Sequence, residues 1–128
     1  MGYTILVVDD SATTRALIKR TIQLARLPIQ QIFDAADGQD ALDLLEGQSV
    51  DLILADLHMP VMDGQEMTRR VLANPATAAI PVVIVSADPN TQRIEDLKRQ
   101  GVRGHLRKPF TPEDIRRLVT EILGAIHA

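Results

Sequence analysis

Three carboxylates stand where apolar runs of strand length stop. Asp9 and Asp10 follow Thr4 to Val8, and Asp56 follows Leu52-Ile53-Leu54-Ala55. Ser86 ends another apolar run, Ile80 to Val85, and Lys108 follows a weaker one around Val102 to Leu106. Two carboxylates about 4 Å apart repel by roughly 4 kcal/mol at an effective dielectric of about 20, so acids brought together here call for a cation. Oxygen donors, with no cysteine and no histidines paired at zinc spacing, point to a hard ion. A small site with room for water and a phosphate favours Mg2+ over Ca2+. A carboxylate beside such an ion and a lysine is a competent nucleophile toward phosphorus, with aspartyl phosphate as the product. Lys108 would neutralise charge on the transferred group, and the Ser86 hydroxyl would hydrogen-bond one of its oxygens. The set reads as a phosphoryl-acceptor site.

The elements that must carry these residues alternate. Thr4 to Val8 is a β-branched, apolar strand pattern, and Ser11 and the threonines after it can cap a helix from Thr13 to about Arg26, with Arg15, Lys19, Arg20 and Gln23 on the face away from its apolar residues, closed by Pro28. Gln30 to Ala35 reads as a second strand, and Asp37-Gly38 turns into a short helix carrying Ala41, Leu42 and Leu45 that stops near Gly47. The strand ending in Asp56 follows, then Pro60 and Asp63-Gly64 as loop chemistry, then a helix with Met67, Val71 and Leu72 that fades at Asn74-Pro75. Ile80 to Val85 is the most apolar strand. Asp88-Pro89-Asn90 begins a fourth helix, to about Gln100, whose large apolar residues are only Ile94 and Leu97; it is expected to dock loosely. The weak strand at Val102 to Leu106 leads to Thr111-Pro112-Glu113-Asp114, a helix start with a hydroxyl cap, proline at the first position and acids in the first turn. Five alternations of strand and helix predict a parallel sheet covered on both faces. In such sheets the functional crevice lies at the carboxyl ends of the strands, which would gather Asp9, Asp10, Asp56, Ser86 and Lys108.

Composition sets the bounds. The chain has 128 residues, 45% hydrophobic and 24% charged, which suits one soluble domain over 1–128. A net charge of −3 argues against a constitutive nucleic-acid binder. The absence of cysteine removes disulfide and thiolate chemistry, and with no apolar run of membrane-spanning length the expected location is the cytoplasm.

The Asp-Asp pair after the first strand, Asp56 followed by His58-Met59-Pro60-Val61-Met62-Asp63-Gly64, Ser86-Ala87 after the fourth strand and Lys108-Pro109-Phe110 after the fifth resemble, in order and spacing, the receiver domain of two-component response regulators, of the single-domain CheY-like type. The resemblance covers essentially the whole chain. It implies a doubly wound (βα)5 flavodoxin-like fold with strand order 2-1-3-4-5. It implies that Asp56 accepts a phosphoryl group from a phosphohistidine on a sensor histidine kinase or histidine phosphotransfer protein. Asp10, Asp56 and the main-chain carbonyl of His58 would bind Mg2+ directly, and Asp9 through water. Lys108 and Ser86 would contact the phosphoryl oxygens, and Ser86 would draw the following loop inward. A switch residue on the fifth strand would then reorient and change the face made by helix 4, strand 5 and helix 5, where a downstream protein reads the signal. That residue is His105 here, in place of the usual tyrosine or phenylalanine, which suggests weaker or pH-sensitive switching. His58 and Asp88 occupy positions that tune the lifetime of the acyl phosphate, and Lys108-Pro109 would be a cis peptide.

Each residue alone has a plainer reading: Asp9 or Asp10 as a helix cap, Asp56 as a turn residue, Ser86 as a cap, Lys108, His58 and His105 as solvated surface groups. Their joint placement at four strand ends favours the acceptor. A flavodoxin-type nucleotide or flavin binder shares the architecture, but its first turn would be glycine-rich where this one is Asp-Asp-Ser. A receiver-like module that is never phosphorylated would lack one of the acids or the lysine. The chain is expected to be a complete regulator, monomeric or weakly dimeric, with no catalysis beyond its own phosphorylation and dephosphorylation; a piece of a larger regulator is the alternative.

Overall fold

Ile5 to Val8, Leu52 to Ala55 and Val82 to Val85 are each buried along their whole length, as strands covered on both faces must be. The computed structural model of the chain describes residues 2–87 and 90–127, with side chains to residue 124. Asp88 and the side chain of His127 lie outside the described residues. The order is β1 (Tyr3–Val8), α1 (Ala12–Leu24), β2 (Ile29–Ala35), α2 (Gly38–Gly47), β3 (Leu52–Asp56), α3 (Gly64–Ala73), β4 (Val82–Ser86), α4 (Thr91–Arg99), β5 (Gly104–Arg107) and α5 (Pro112–His127). The strands form one parallel sheet in the order β2-β1-β3-β4-β5, as the resemblance implies.

Side chains alternate between two layers with the period of two that a strand imposes. Ile5, Val7, Leu52, Leu54, Val83 and Val85 pack with Ile18 and Ile22 of α1 and Ile115 and Val119 of α5. Leu6, Val8, Ile53 and Ala55 pack with Ala41 and Leu45 of α2 and Met67 and Val71 of α3. Ile84 and Leu57 meet Ile94 and Leu97, the two side chains that α4 buries. Burying a side chain of this size is worth roughly 1.5–3 kcal/mol, so α4 is held by far less apolar contact than its neighbours.

Helix starts are pinned by side-chain caps. Ser11 Oγ accepts from Thr14 N–H at 3.2 Å, Asp37 from Asp40 at 2.9 Å, Asp63 from Glu66 at 2.8 Å and Asn90 from Arg93 at 3.0 Å. At α5, Thr111 Oγ1 accepts from Asp114 N–H at 3.1 Å while Asp114 accepts from Thr111 N–H at 3.0 Å, a reciprocal capping box. All five caps lie in the strand-to-helix turns, on the edge of the sheet where function was expected.

Several element boundaries differ from the sequence reading. The first helix starts at Ala12, because Ser11 is the cap, and it ends at Leu24, before Pro28, where Arg26 takes a left-handed φ of 58°. The fourth strand starts at Val82, since Ile80 N–H bonds back to Thr77 O in a turn and Pro81 has no N–H. The fifth starts at Gly104 because Val102 N–H is used by Leu97 O at the end of α4. The Lys108-Pro109 peptide is cis.

Gly64 ties the start of α3 to the end of β3: its N–H donates to Leu57 O at 3.0 Å, and a Cβ there would overlap the Asp56 carbonyl oxygen. That neighbour is backbone and cannot swing away. Gly64→Ala is therefore expected to lower stability by about 2–3 kcal/mol, read as a lower urea midpoint at unchanged slope.

Candidate functional site

The strands are level at their carboxyl ends. Val8 pairs with Ala55, Asp56 with Val85 and Ser86 with Arg107, so Asp9, Asp56, Ser86 and Lys108 arrive at one edge from four adjacent strands. Lys108 N–H donates to Ser86 O at 3.0 Å, carrying the pairing of β4 and β5 one residue further.

Asp9 is 2% exposed and fully engaged. Its N–H donates to Ala35 O at 3.1 Å, its Oδ1 accepts from Ser11 N–H at 2.9 Å and its Oδ2 accepts from Lys108 Nζ at 2.9 Å. Lys108 Nζ is also 3.4 Å from Asp56 Oδ2. Asp10 is exposed and has no ion pair among the described residues. One carboxylate oxygen from each of Asp9, Asp10 and Asp56 lies within 4.8 Å of the other two. Carboxylates at that separation repel by about 3–4 kcal/mol per pair at an effective dielectric of about 20. Among the described residues Lys108 is the one cation paired to them, which leaves two of the three negative charges uncompensated there. A divalent cation with a taste for oxygen matches both the charge and the donors, and the exposure of Asp10 leaves a side open to water.

Partial burial pushes the Asp56 carboxyl above its ordinary range; the Lys108 charge works against this and the Asp9 charge adds to it. For Lys108, burial alone would lower the ammonium, but the hydrogen bond to Asp9 and the charges of Asp56 and Asp9 prevail, and it is held above its usual value. The raised Asp56 value fixes a sign. A folded carboxyl that keeps its proton longer than the unfolded one loses stability as pH rises from the ordinary carboxyl value of 3.8 through the folded value. Without divalent cation, the stability of wild type relative to Asp56→Asn is expected to decline as pH is raised through the acid range and then level off. Paired denaturant curves along a pH series read this directly.

The expected residues fall into two groups. Asp9, Asp10, Asp56 and Lys108 meet in the crevice, with Ser86 at its wall, 2% exposed. His58 is exposed in the connection from β3 to α3, and its imidazole is not in the acid cluster. His105 is half-buried on β5 and is not in the acid cluster; it lines a groove of about 440 Å³ with Arg107, Phe110, Asp114, Arg117 and Leu118 among others.

Two features escaped the sequence reading. Arg15, which helical spacing puts on the face of α1 away from its apolar residues, donates from Nη1 to the Asp9 carbonyl at 2.7 Å and from Nε to Asp34 Oδ2 at 2.8 Å. The available signal was an acid one residue before the end of the second strand, beside the strand that delivers Asp9. Val61 has φ 65° and is 83% exposed, with Met62 N–H bonded to Pro60 O at 2.6 Å. It centres a γ-turn of the rare, strained sense, and a β-branched residue gives no warning of positive φ.

Comparison with known proteins agrees with this geometry. The response regulator receiver domain model matches residues 5–120. The chain is 33% identical over 121 residues to a chemotaxis protein CheY homolog of Campylobacter jejuni, covering 94% of this chain and 92% of that one. It is 30% identical to chemotaxis protein CheY1 of Helicobacter pylori, with 94% and 96% covered. Among solved structures, Vibrio cholerae CheY4 superposes with a TM-score of 0.84 at 29% identity, covering 95% of this chain and 99% of that one. The receiver domain of a sensor histidine kinase from Pseudomonas aeruginosa, solved with a magnesium ion in its active site cleft, gives a TM-score of 0.84 at 27% identity, with 97% and 99% covered.

Proposed function

This chain belongs to the response regulator receiver domain family, and we propose that Asp56 is its phosphoacceptor, charged from a phosphohistidine on a sensor histidine kinase or histidine phosphotransfer protein. The observation that carries this is the convergence of the Asp9, Asp10 and Asp56 carboxylates within 4.8 Å, with Lys108 shared between Asp9 and Asp56. Mg2+ held by Asp10, Asp56 and the His58 main-chain carbonyl, with Asp9 acting through water, would supply neutralisation of the phosphoryl oxygens.

An Asp56 carboxylate oxygen attacks phosphorus. The new P–O bond forms as the P–N bond to the donor imidazole breaks, and the imidazole nitrogen leaves with the electron pair. Lys108, which now neutralises Asp56, transfers its ammonium contact to a phosphoryl oxygen. The Ser86 hydroxyl donates to another and draws the connection from β4 to α4 inward. These contacts exist only in the phosphorylated form, so they are what shifts the equilibrium toward the active state. The light apolar anchoring of α4 by Ile94 and Leu97 lets that end of the fold respond.

The response is read on the face of α4, β5 and α5, with His105 as the switch residue. The groove beside His105 gives a partner an apolar foothold at Phe110 and Leu118. From Thr91 onward the chain has eight basic and five acidic residues although its net charge is −3, which suits an acidic partner. The chemotaxis proteins among the relatives favour a chemotaxis partner, with a phosphorelay as the other setting. No described helix is long and apolar enough to cross a membrane, and we place the protein in the cytoplasm as a monomer or weak dimer with no direct nucleic-acid contact. Its chemistry is confined to its own phosphorylation and dephosphorylation.

Transfer from a phosphorylated histidine phosphotransfer domain in Mg2+, followed by borohydride reduction and peptide mapping, is expected to place the modification at Asp56 alone. Modification at Asp9, Asp10 or a histidine would contradict the assignment.

A further inference from the structure

The acceptor crevice accounts for the side chains of Asp9 and Asp10 but not for what fixes the peptide that joins them. At Asp9 the sheet is running out. The Asp9 N–H still bonds to Ala35 O on β2, while its carbonyl is taken by Arg15 Nη1 at 2.7 Å. The same guanidinium donates from Nε to Asp34 Oδ2 at 2.8 Å, and Asp34 Oδ1 is 3.0 Å from Lys19 Nζ. Asp34 pairs with Val7 across β1 and β2, so one fork links α1, β2 and the exit of β1.

This arrangement differs from the other ion pairs outside the crevice among the described residues. Those of Glu66, Glu95, Asp96 and Asp114 join residues three or four apart on one exposed helix face. Such pairs are worth little. Arg15 instead spans nineteen residues to Asp34, and its side chain is only 18% exposed. A peptide unit is planar, so the direction of the Asp9 carbonyl sets the plane that also contains the Asp10 nitrogen and Cα. Holding that oxygen therefore sets the direction in which Asp10 leaves the strand.

We infer that Arg15, braced by Asp34, is a positioning residue for the metal-binding acids: it orients the Asp9–Asp10 peptide so that the Asp10 carboxylate faces Asp9 and Asp56. The inference rests on reading those acids as a Mg2+ site. It also explains the residue type. A guanidinium reaches two acceptors in a fixed fork, whereas an ammonium on a flexible stem holds its charge nearby without fixing a plane.

Isothermal titration of the full chain with MgCl2 tests this, using wild type, Arg15→Ala, Arg15→Lys, Asp34→Asn and, as a control on the exposed face of α1, Arg20→Ala. Arg15→Ala and Arg15→Lys are both expected to weaken Mg2+ binding by roughly tenfold, the usual loss when a group supporting a metal ligand is removed. Asp34→Asn keeps an acceptor oxygen and is expected to lose less, and Arg20→Ala to lose nothing. At saturating Mg2+ the rate of phosphorylation by acetyl phosphate is expected to return to within about twofold of wild type, because the acceptor itself is untouched. Arg15→Lys binding like wild type would overturn the inference, since charge alone would then suffice. So would a lower melting temperature with unchanged Mg2+ affinity, the mark of a merely structural ion pair. If Arg15→Ala does not fold, the lysine variant and Asp34→Asn decide. Wild type failing to bind Mg2+ would overturn the metal-site reading and this inference with it, whereas wild-type binding with indifferent variants would overturn the inference alone.

Discussion

Asp56→Asn is expected to abolish acceptance of the phosphoryl group, lowering the rate of transfer from a phosphohistidine donor by at least about 10³-fold. The amide has the shape of the carboxylate but not its nucleophilic charge, and among the described residues no other acid stands in the same relation to Lys108. Asp9 is closer to the ammonium, but at 2% exposure, with Oδ1 on Ser11 N–H and Oδ2 on Lys108, it cannot reach an incoming donor. Asp10 is open to solvent but is not paired with Lys108. The variant is expected to fold, because it removes one of three mutually repelling charges. Label transfer from donor to receiver measures the effect. Substantial transfer to the variant would mean that a neighbouring acid is the acceptor.

Lys108→Ala is expected to cost about 2–3 kcal/mol of stability in the absence of Mg2+. Removing the cation leaves the buried Asp9 carboxylate with Ser11 N–H as its remaining side-chain partner, close to two further acids. Breaking a fully buried pair costs about 3–5 kcal/mol, and the 25% exposure of Lys108 brings that down through solvent screening. Mg2+ should restore part of the loss, since a ligand of the native state at a hundred times its Kd contributes about 2.7 kcal/mol. Urea unfolding with and without Mg2+ separates the two. A variant as stable as wild type without Mg2+ would show that the ammonium does not offset the acids.

How far the site could be read from sequence depended on what carries each residue. Asp56, Ser86 and Lys108 were legible because strand ends are marked by the end of an apolar run, and a parallel sheet brings strand ends together whatever their separation in the chain. The strand end of Asp9 was legible too, but its hydrogen-bond partners were not. The hydrogen bond to Lys108, 99 residues away, depends on side-chain reach that no periodicity encodes. The contacts of Arg15 were hidden for the same reason: helical spacing puts it off the apolar stripe, but the acid facing it comes from β2. Element ends moved where main-chain groups had local partners, as at Ile80 and Val102. The strained γ-turn at Val61 left no trace in the sequence, since glycine or asparagine would be the usual mark of positive φ.

The central claim is that Asp56 takes up one phosphoryl group with help from a divalent cation. Intact-protein mass after incubation with acetyl phosphate, with and without Mg2+, tests it most directly, with Asp56→Asn alongside. A gain of one phosphoryl group by wild type that requires Mg2+ and is absent from the variant is the expected result. A gain that persists in Asp56→Asn, or that is indifferent to Mg2+, would contradict it.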